Sequence, residues 1–302
     1  MTGRQKQYTL LMSILVILIV VVVGSILFYR EWRSNQVFFR GDEHGENPGL
    51  YRLNLLYGEP ILTALGLIAQ AVWSPDGNRI AYVSSSDEIG SPPYHIAVMN
   101  KNGEDVQELT EGRVRHYSPT WSPDGKQIAF IAAHDYEGGG NLAIFIMNSD
   151  GSEQRQITPY AYYSDLSWSP DGSRIAYSVF NAIHVVSIDG TQVQQLTDQW
   201  TDSFPVWSPD GEYIAFASTR DDPNTYIDIY VMRSDGTDIR RLTDYPAHDR
   251  QPSWSPDGKK IVFESNRDSS DVAIYHIYIM NADGTGEERL IEMESNSPVW
   301  RP

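Results

Sequence analysis

An all-β, six-bladed propeller preceded by one transmembrane helix is the fold that the sequence predicts. Three observations point to it: a Trp-Ser-Pro-Asp-Gly pentapeptide that recurs five times, a second Asn-Gly or Asp-Gly turn inside every repeat, and a 21-residue uncharged run near the start.

Residues 1–7 form a short polar tail, and Tyr8 to Phe28 is dominated by Leu, Ile and Val without a charge. As a helix this run would extend about 31 Å, close to the ~30 Å of a bilayer's hydrocarbon core. It is longer than the apolar core of a cleavable signal and lacks a small-residue cleavage site, so the expectation is an uncleaved anchor at 8–28. Residues 29–35, with Arg30, Trp32 and Arg33, read as an interfacial linker. A short N-terminus before a long domain predicts a single-pass membrane protein with its N-terminus cytoplasmic and its body extracytoplasmic.

From residue 36 to 302 the chain repeats itself. The pentapeptide begins at Trp73, Trp121, Trp168, Trp207 and Trp254, and a truncated copy ends the chain at Trp300. Self-similarity at intervals of 39 to 48 residues is the signature of a repeat architecture. Each unit predicts four strands. The first ends at the tryptophan, the second follows the Pro-Asp-Gly turn, and the third leads to a turn at Asn102-Gly103, Asp150-Gly151, Asp189-Gly190, Asp235-Gly236 or Asp283-Gly284. The fourth is expected at Leu109-Thr110, Ile157-Thr158, Leu196-Thr197, Leu242-Thr243 and Leu290-Ile291. Such Asn-Gly and Asp-Gly pairs predict type I′ hairpins, in which both central residues take positive φ. Three strands before Trp73 lack a first, and Ser297 to Trp300 is a first strand lacking the rest. Joining the two ends predicts a sixth blade and a closed ring.

These repeats resemble the WD-like propeller unit of the TolB family and of the propeller domains of tricorn-type and prolyl-oligopeptidase-type peptidases. The resemblance implies a propeller over residues 36–302 and little about activity, since one architecture hosts many functions. The Gly-x-Ser-x-Gly elbow of the peptidases does not occur.

Composition excludes several classes. With 23 Lys+Arg against 40 Asp+Glu the net charge is −17, so the body repels a nucleic-acid backbone. No cysteine is present, which removes disulfides and thiolate chemistry. Gly138-Gly139-Gly140 lacks the Lys-Ser/Thr of a phosphate loop.

Strand alternation sorts the short turns onto one face and the long loops onto the other, and binding residues concentrate on loops held by a rigid scaffold. The candidate rim therefore comprises His116, Tyr117, Tyr163, Asp165, Asp202, Asp249, Arg250, Asn296, His134 and His276. The tryptophans Trp73, Trp121, Trp168, Trp207, Trp254 and Trp300 read as packing between adjacent sheets, because every blade repeats them. The expected function is a non-catalytic propeller that binds or scaffolds a protein or polar small-molecule ligand through its long-loop face, without nucleic acid and without a cofactor. The alternative is a metal-assisted hydrolase or lyase at the channel mouth. Its basis is the histidine and acid content of the rim. Separately, calcium or another divalent cation is a candidate at Asp221, Asp222 and Asp228 or at the acidic channel mouth.

Overall fold

The computed structural model describes residues 36–41, 49–54, 60–65, 69–85, 94–112, 114–133, 142–159, 161, 163–198, 201–221, 226–269, 274–291 and 295–300. For residues 36–69, 85 and 295–297 this covers the backbone alone. All regular structure among them is strand. The chain begins with β1 (Gln36–Gly41), β2 (Gly49–Asn54) and β3 (Pro60–Leu65). Blade 1 follows, with β4 (Ala69–Trp73), β5 (Arg79–Ser85), β6 (Tyr94–Asn100) and β7 (Gln107–Glu108). Blade 2 holds β8 (His116–Trp121), β9 (Gln127–Ala133), β10 (Leu142–Asn148) and β11 (Arg155–Gln156). Blade 3 holds β12 (Tyr163–Trp168), β13 (Arg174–Val179), β14 (Ala182–Ser187) and β15 (Val193–Gln195). Blade 4 holds β16 (Ser203–Trp207), β17 (Tyr213–Ser218), β18 (Asp228–Arg233) and β19 (Arg240–Arg241). Blade 5 holds β20 (Asp249–Trp254), β21 (Lys260–Ser265), β22 (His276–Asn281) and β23 (Glu288–Arg289), and β24 (Ser295–Trp300) ends the series.

The expected fold is corrected on two points. Five blades, β4 to β23, are whole units of four consecutive antiparallel strands. The remaining sheet, in the order β24-β1-β2-β3, is no repeat unit but a closure pieced from both ends of the series, with Val37 opposite Trp300 and Phe38 opposite Val299. The tail 1–7, the anchor 8–28 and the linker 29–35 lie outside the described residues. Among the described residues no helix is long and apolar enough to cross a membrane, so the structure supports neither the transmembrane helix nor the single-pass localisation.

Each tryptophan closes the first strand of its blade and is buried against the blade before it. Trp121 packs with Ala81, Val83, Ile96 and Val98 of blade 1, and its indole Nε1 donates to the Val72 carbonyl at 3.3 Å. Trp254 repeats the arrangement on blade 4, with Nε1 donating to Val206 at 3.3 Å. These two rings thus place large apolar area at a sheet-to-sheet contact while the N–H finds an acceptor, whereas the buried Nε1 atoms of Trp168, Trp207 and Trp300 have no hydrogen-bond partner among the described residues.

The turns differ from the expected type. Gly151 N–H donates to the Asn148 carbonyl at 2.9 Å, and Gly151 has a positive φ of 88° whereas Asp150 does not. These are type I turns with glycine at the fourth position, and Asp150 Oδ1 secures them by accepting the Ser152 N–H at 3.0 Å. That acceptor makes Asp rather than a second left-handed residue the better choice. The outermost strands also end earlier than expected. Leu109 N–H already bonds Ile96 O, and Thr110 Oγ1 accepts the Ile96 N–H at 2.9 Å, so Leu-Thr caps the edge strand instead of forming it. Ile144 with Thr158, Ile183 with Thr197, and Ile229 with Thr243 make the same bond.

The innermost strands all carry a β-bulge. Three residues before each tryptophan stand Gln70, Ser118, Asp165, Phe204 and Gln251, with φ between 49° and 54°. Register shifts occur there in each blade. A non-glycine side chain in the left-handed region costs about 1–2 kcal/mol, so five repeats of the same strained position mark a feature the fold sustains on purpose. The next residue is proline in four of the six inner strands: Pro119, Pro205, Pro252 and Pro298. Proline is tolerated there because the bulge and the free inner edge ask for no ladder donor.

Candidate functional site

The bulges converge on the central channel. A cavity of ≈ 270 Å³ is lined by Gln70, Ser118, Asp165, Phe204 and Gln251 together with the residues that follow them, from β4, β8, β12, β16, β20 and β24. Adjacent blades are stitched across this lining. Gln70 Oε1 accepts the Ser118 N–H at 2.7 Å, and the Asp165 carboxylate accepts the Phe204 N–H. One step further along, Ser167 Oγ accepts the Trp207 N–H at 3.1 Å. At Ser118 and Phe204 the bulge turns the inner N–H toward the preceding blade, where Gln70 and Asp165 are each both a clamp and a wall.

Among the described residues Asp165 is the only acid in this lining. Enclosure by the channel walls pushes its carboxyl up to about 6, against the pull of the Ser164 hydroxyl and the Phe204 N–H toward lower values. Two carboxamides, hydroxyls of Ser118, Thr120, Ser167 and Ser253, and the Phe204 ring complete the surface. Such a wall can hold a polar group by hydrogen bonds and one charge. Among the described residues no histidine lines the channel beside these hydroxyls to activate one of them.

The other sequence-derived candidates sit elsewhere. His116 is buried, its Nδ1 3.0 Å from the Tyr94 carbonyl and its ring 5.8 Å from that of His95; burial holds its pKa below the usual histidine value. Tyr117 lies against Tyr94, and the Tyr163 hydroxyl donates to Pro159 O at 2.9 Å. Asp202 is fully buried and pairs with Arg220 at 2.8 Å; Asp249, equally buried, pairs with Arg267 at 2.8 Å. Arg250 bridges to Glu264 at 2.8 Å and stacks over Tyr275. His276 is buried beside Arg289. Asn296 is described only by its backbone, in β24, and His134 lies outside the described residues.

The structure therefore brings Asp165 into the channel, joins His116 and Tyr117 to blade 1, and ties Asp202, Asp249, Arg250 and His276 to partners within their own blades. Of the calcium candidates, Asp221 accepts the Tyr230 hydroxyl at 2.6 Å, Asp228 pairs with Arg241 at 2.7 Å, and Asp222 is outside the described residues. Among the described residues no three His, Asp or Glu side chains gather as a metal set. Sequence reasoning missed Gln70, Ser118, Phe204 and Gln251; a fixed offset of three from each tryptophan was the available signal.

Residues 46–226 and 167–302 match the TolB beta propeller domain. The chain belongs to that family. Among solved structures, this TolB-type propeller is similar to TolB from Acinetobacter baumannii, at 21% identity and a TM-score of 0.75 over 90% of this chain and 67% of that one. It is similar also to a putative TolB from Agrobacterium tumefaciens, at 23% identity and a TM-score of 0.68 over 87% and 90% of the two chains. An oligogalacturonate lyase in complex with manganese follows at 18% identity and a TM-score of 0.56, over 81% and 73%. At these identities the likeness is one of fold. No curated protein matches the chain.

Proposed function

We propose that this TolB-type propeller is a non-catalytic binding module that engages a protein or polar small-molecule partner on its long-loop face, at the mouth of the central channel. The channel wall carries this reading: one carboxylate, two carboxamides and a set of hydroxyls stand on strained, mutually bonded bulges, which is how a rigid scaffold presents recognition groups without a reactive pair. The rim candidates act in this reading through the loops they anchor, and neither cofactor nor nucleic acid takes part. Photo-crosslinking of the full chain tests it. A photoreactive residue at Gln251 should capture a partner, the capture should fail in an Asp165→Lys variant, and the same probe at Val106 on the short-turn side should capture nothing. Capture at Val106 alone would overturn the reading. A stoichiometric divalent ion in the purified chain, lost in His116→Ala, would favour the metal-assisted hydrolase or lyase instead.

A further inference from the structure

Blades 4 and 5 share a device that blade 3 lacks. In each of them the second and third strands present a cross-strand ring pair, Phe216 with Tyr230 and Phe263 with Tyr278. An arginine from the loop after the second strand lies over that pair. Arg220 Cζ is 4.9 Å from the Phe216 centroid and 5.3 Å from that of Tyr230; Arg267 Cζ is 5.6 Å from Phe263 and 4.6 Å from Tyr278. Each guanidinium then bonds a buried aspartate five residues before the blade's tryptophan, Asp202 or Asp249.

Blade 3 keeps the rings and loses the cation. Tyr177 stands opposite His184, with the two rings stacked at 5.6 Å. The loop that would carry an arginine is cut to Phe180-Asn181, a tight turn in which both residues take left-handed φ of 50° and 57°. The position five before the tryptophan is Tyr163. Around these rings opens a cleft of ≈ 450 Å³, walled by Pro159, Ala161, Phe180 and Val193. Phe180 and Val193 are 57% and 55% exposed, and a bulky side chain held both exposed and left-handed is an outlier that asks for a use.

We propose that this cleft receives a guanidinium group, the arginine side chain of a partner protein, in the manner of Arg220 in blade 4 and Arg267 in blade 5. A guanidinium is planar and weakly hydrated, so it stacks on aromatic faces with little desolvation cost. Burial holds the His184 pKa below the ordinary histidine value, so at neutral pH its ring carries no charge to repel the guest. The net charge of −17 draws a cation toward the protein. This site is separate from the channel, and either can fail without the other.

Nuclear magnetic resonance of the full chain tests the proposal, with N-acetyl-arginine amide as probe and the citrulline and norleucine amides as its neutral counterparts. Ring signals of Tyr177 and His184 should shift saturably with the arginine probe, and at least about fivefold less with either neutral one. His184→Lys, which puts a fixed cation into the cleft, should abolish the shift while leaving the thermal midpoint close to that of the parent. Tyr163→Asp, which restores the carboxylate of blades 4 and 5, should tighten binding about tenfold, the worth of one charge-assisted hydrogen bond. Equal response to citrulline or norleucine, or no saturable response in the parent chain, would overturn the assignment.

Discussion

Replacing Asp165 by asparagine should make the protein more stable at neutral pH. The two side chains have nearly the same shape, and the asparagine carbonyl can still accept the Phe204 N–H. What changes is the charge that the channel encloses. The carboxyl is raised from 3.8 to about 6 in the folded chain, which corresponds to about 3 kcal/mol between the two protonation states. The folded protein binds this proton more tightly than the unfolded chain. The resulting stabilisation is full below about pH 4 and is lost as pH rises through about 6. At pH 7.5 the native protein therefore holds an enclosed carboxylate at a cost of up to about 3 kcal/mol, and Asp165→Asn removes it. For a propeller of this size the entropy of unfolding is of order 0.5 kcal/mol per kelvin, so the midpoint should rise by about 5 °C. Differential scanning calorimetry of parent and variant at pH 4 and pH 7.5 gives the answer. The midpoints should nearly coincide at the lower pH and separate at the higher. A variant that is less stable at pH 7.5, or a gap that is the same at both values, would refute the reasoning.

Three further outcomes follow from the same geometry. Trp254→Ala should lower stability by about 3–5 kcal/mol, read by denaturant unfolding, because it empties the contact between blades 4 and 5 and strands the Val206 carbonyl. Asp202→Asn should cost about 3–5 kcal/mol by leaving Arg220 buried without its counter-charge, and the double variant with Arg220→Met should recover most of that loss. Gly190→Ala should destabilise far more than Gly112→Ala in thermal melts: both have positive φ, but a Cβ at 190 would stand 2.6 Å from the Ile157 carbonyl oxygen, whereas at 112 nothing lies within 4 Å.

The blades were legible because each rests on local chemistry that the repeats spell out. Ser74 Oγ bonds Asp76 and accepts the Arg79 N–H, so Trp-Ser-Pro-Asp-Gly is itself the turn between first and second strands. The tryptophans pack where one per blade suggested. The Leu-Thr pairs misled as strands because a threonine hydroxyl that bonds 14 residues back leaves no mark in alternation. The channel lining was hidden for a different reason. Gln70, Ser118, Asp165, Phe204 and Gln251 share a backbone conformation and no side-chain chemistry, so neither composition nor strand alternation singles them out, and only their fixed offset from each tryptophan marks them. The long-range ion pairs were half visible. Asp202 and Asp249 recur at one offset, but nothing in the order of residues says that Arg220 and Arg267 reach back to meet them. Residues chosen for their place on loops, such as His116 and Arg250, are held by neighbours that only the folded ring supplies.

The prolines beside the bulges have a consequence for any guest that enters the hub. A strand laid along the inner wall would look for a regular run of main-chain donors and acceptors. It would meet Pro119, Pro205, Pro252 and Pro298, and N–H groups already spoken for by Gln70 and Asp165. Augmentation of those four sheets from within is thereby barred, so a visitor there must be recognised by what its side chains offer.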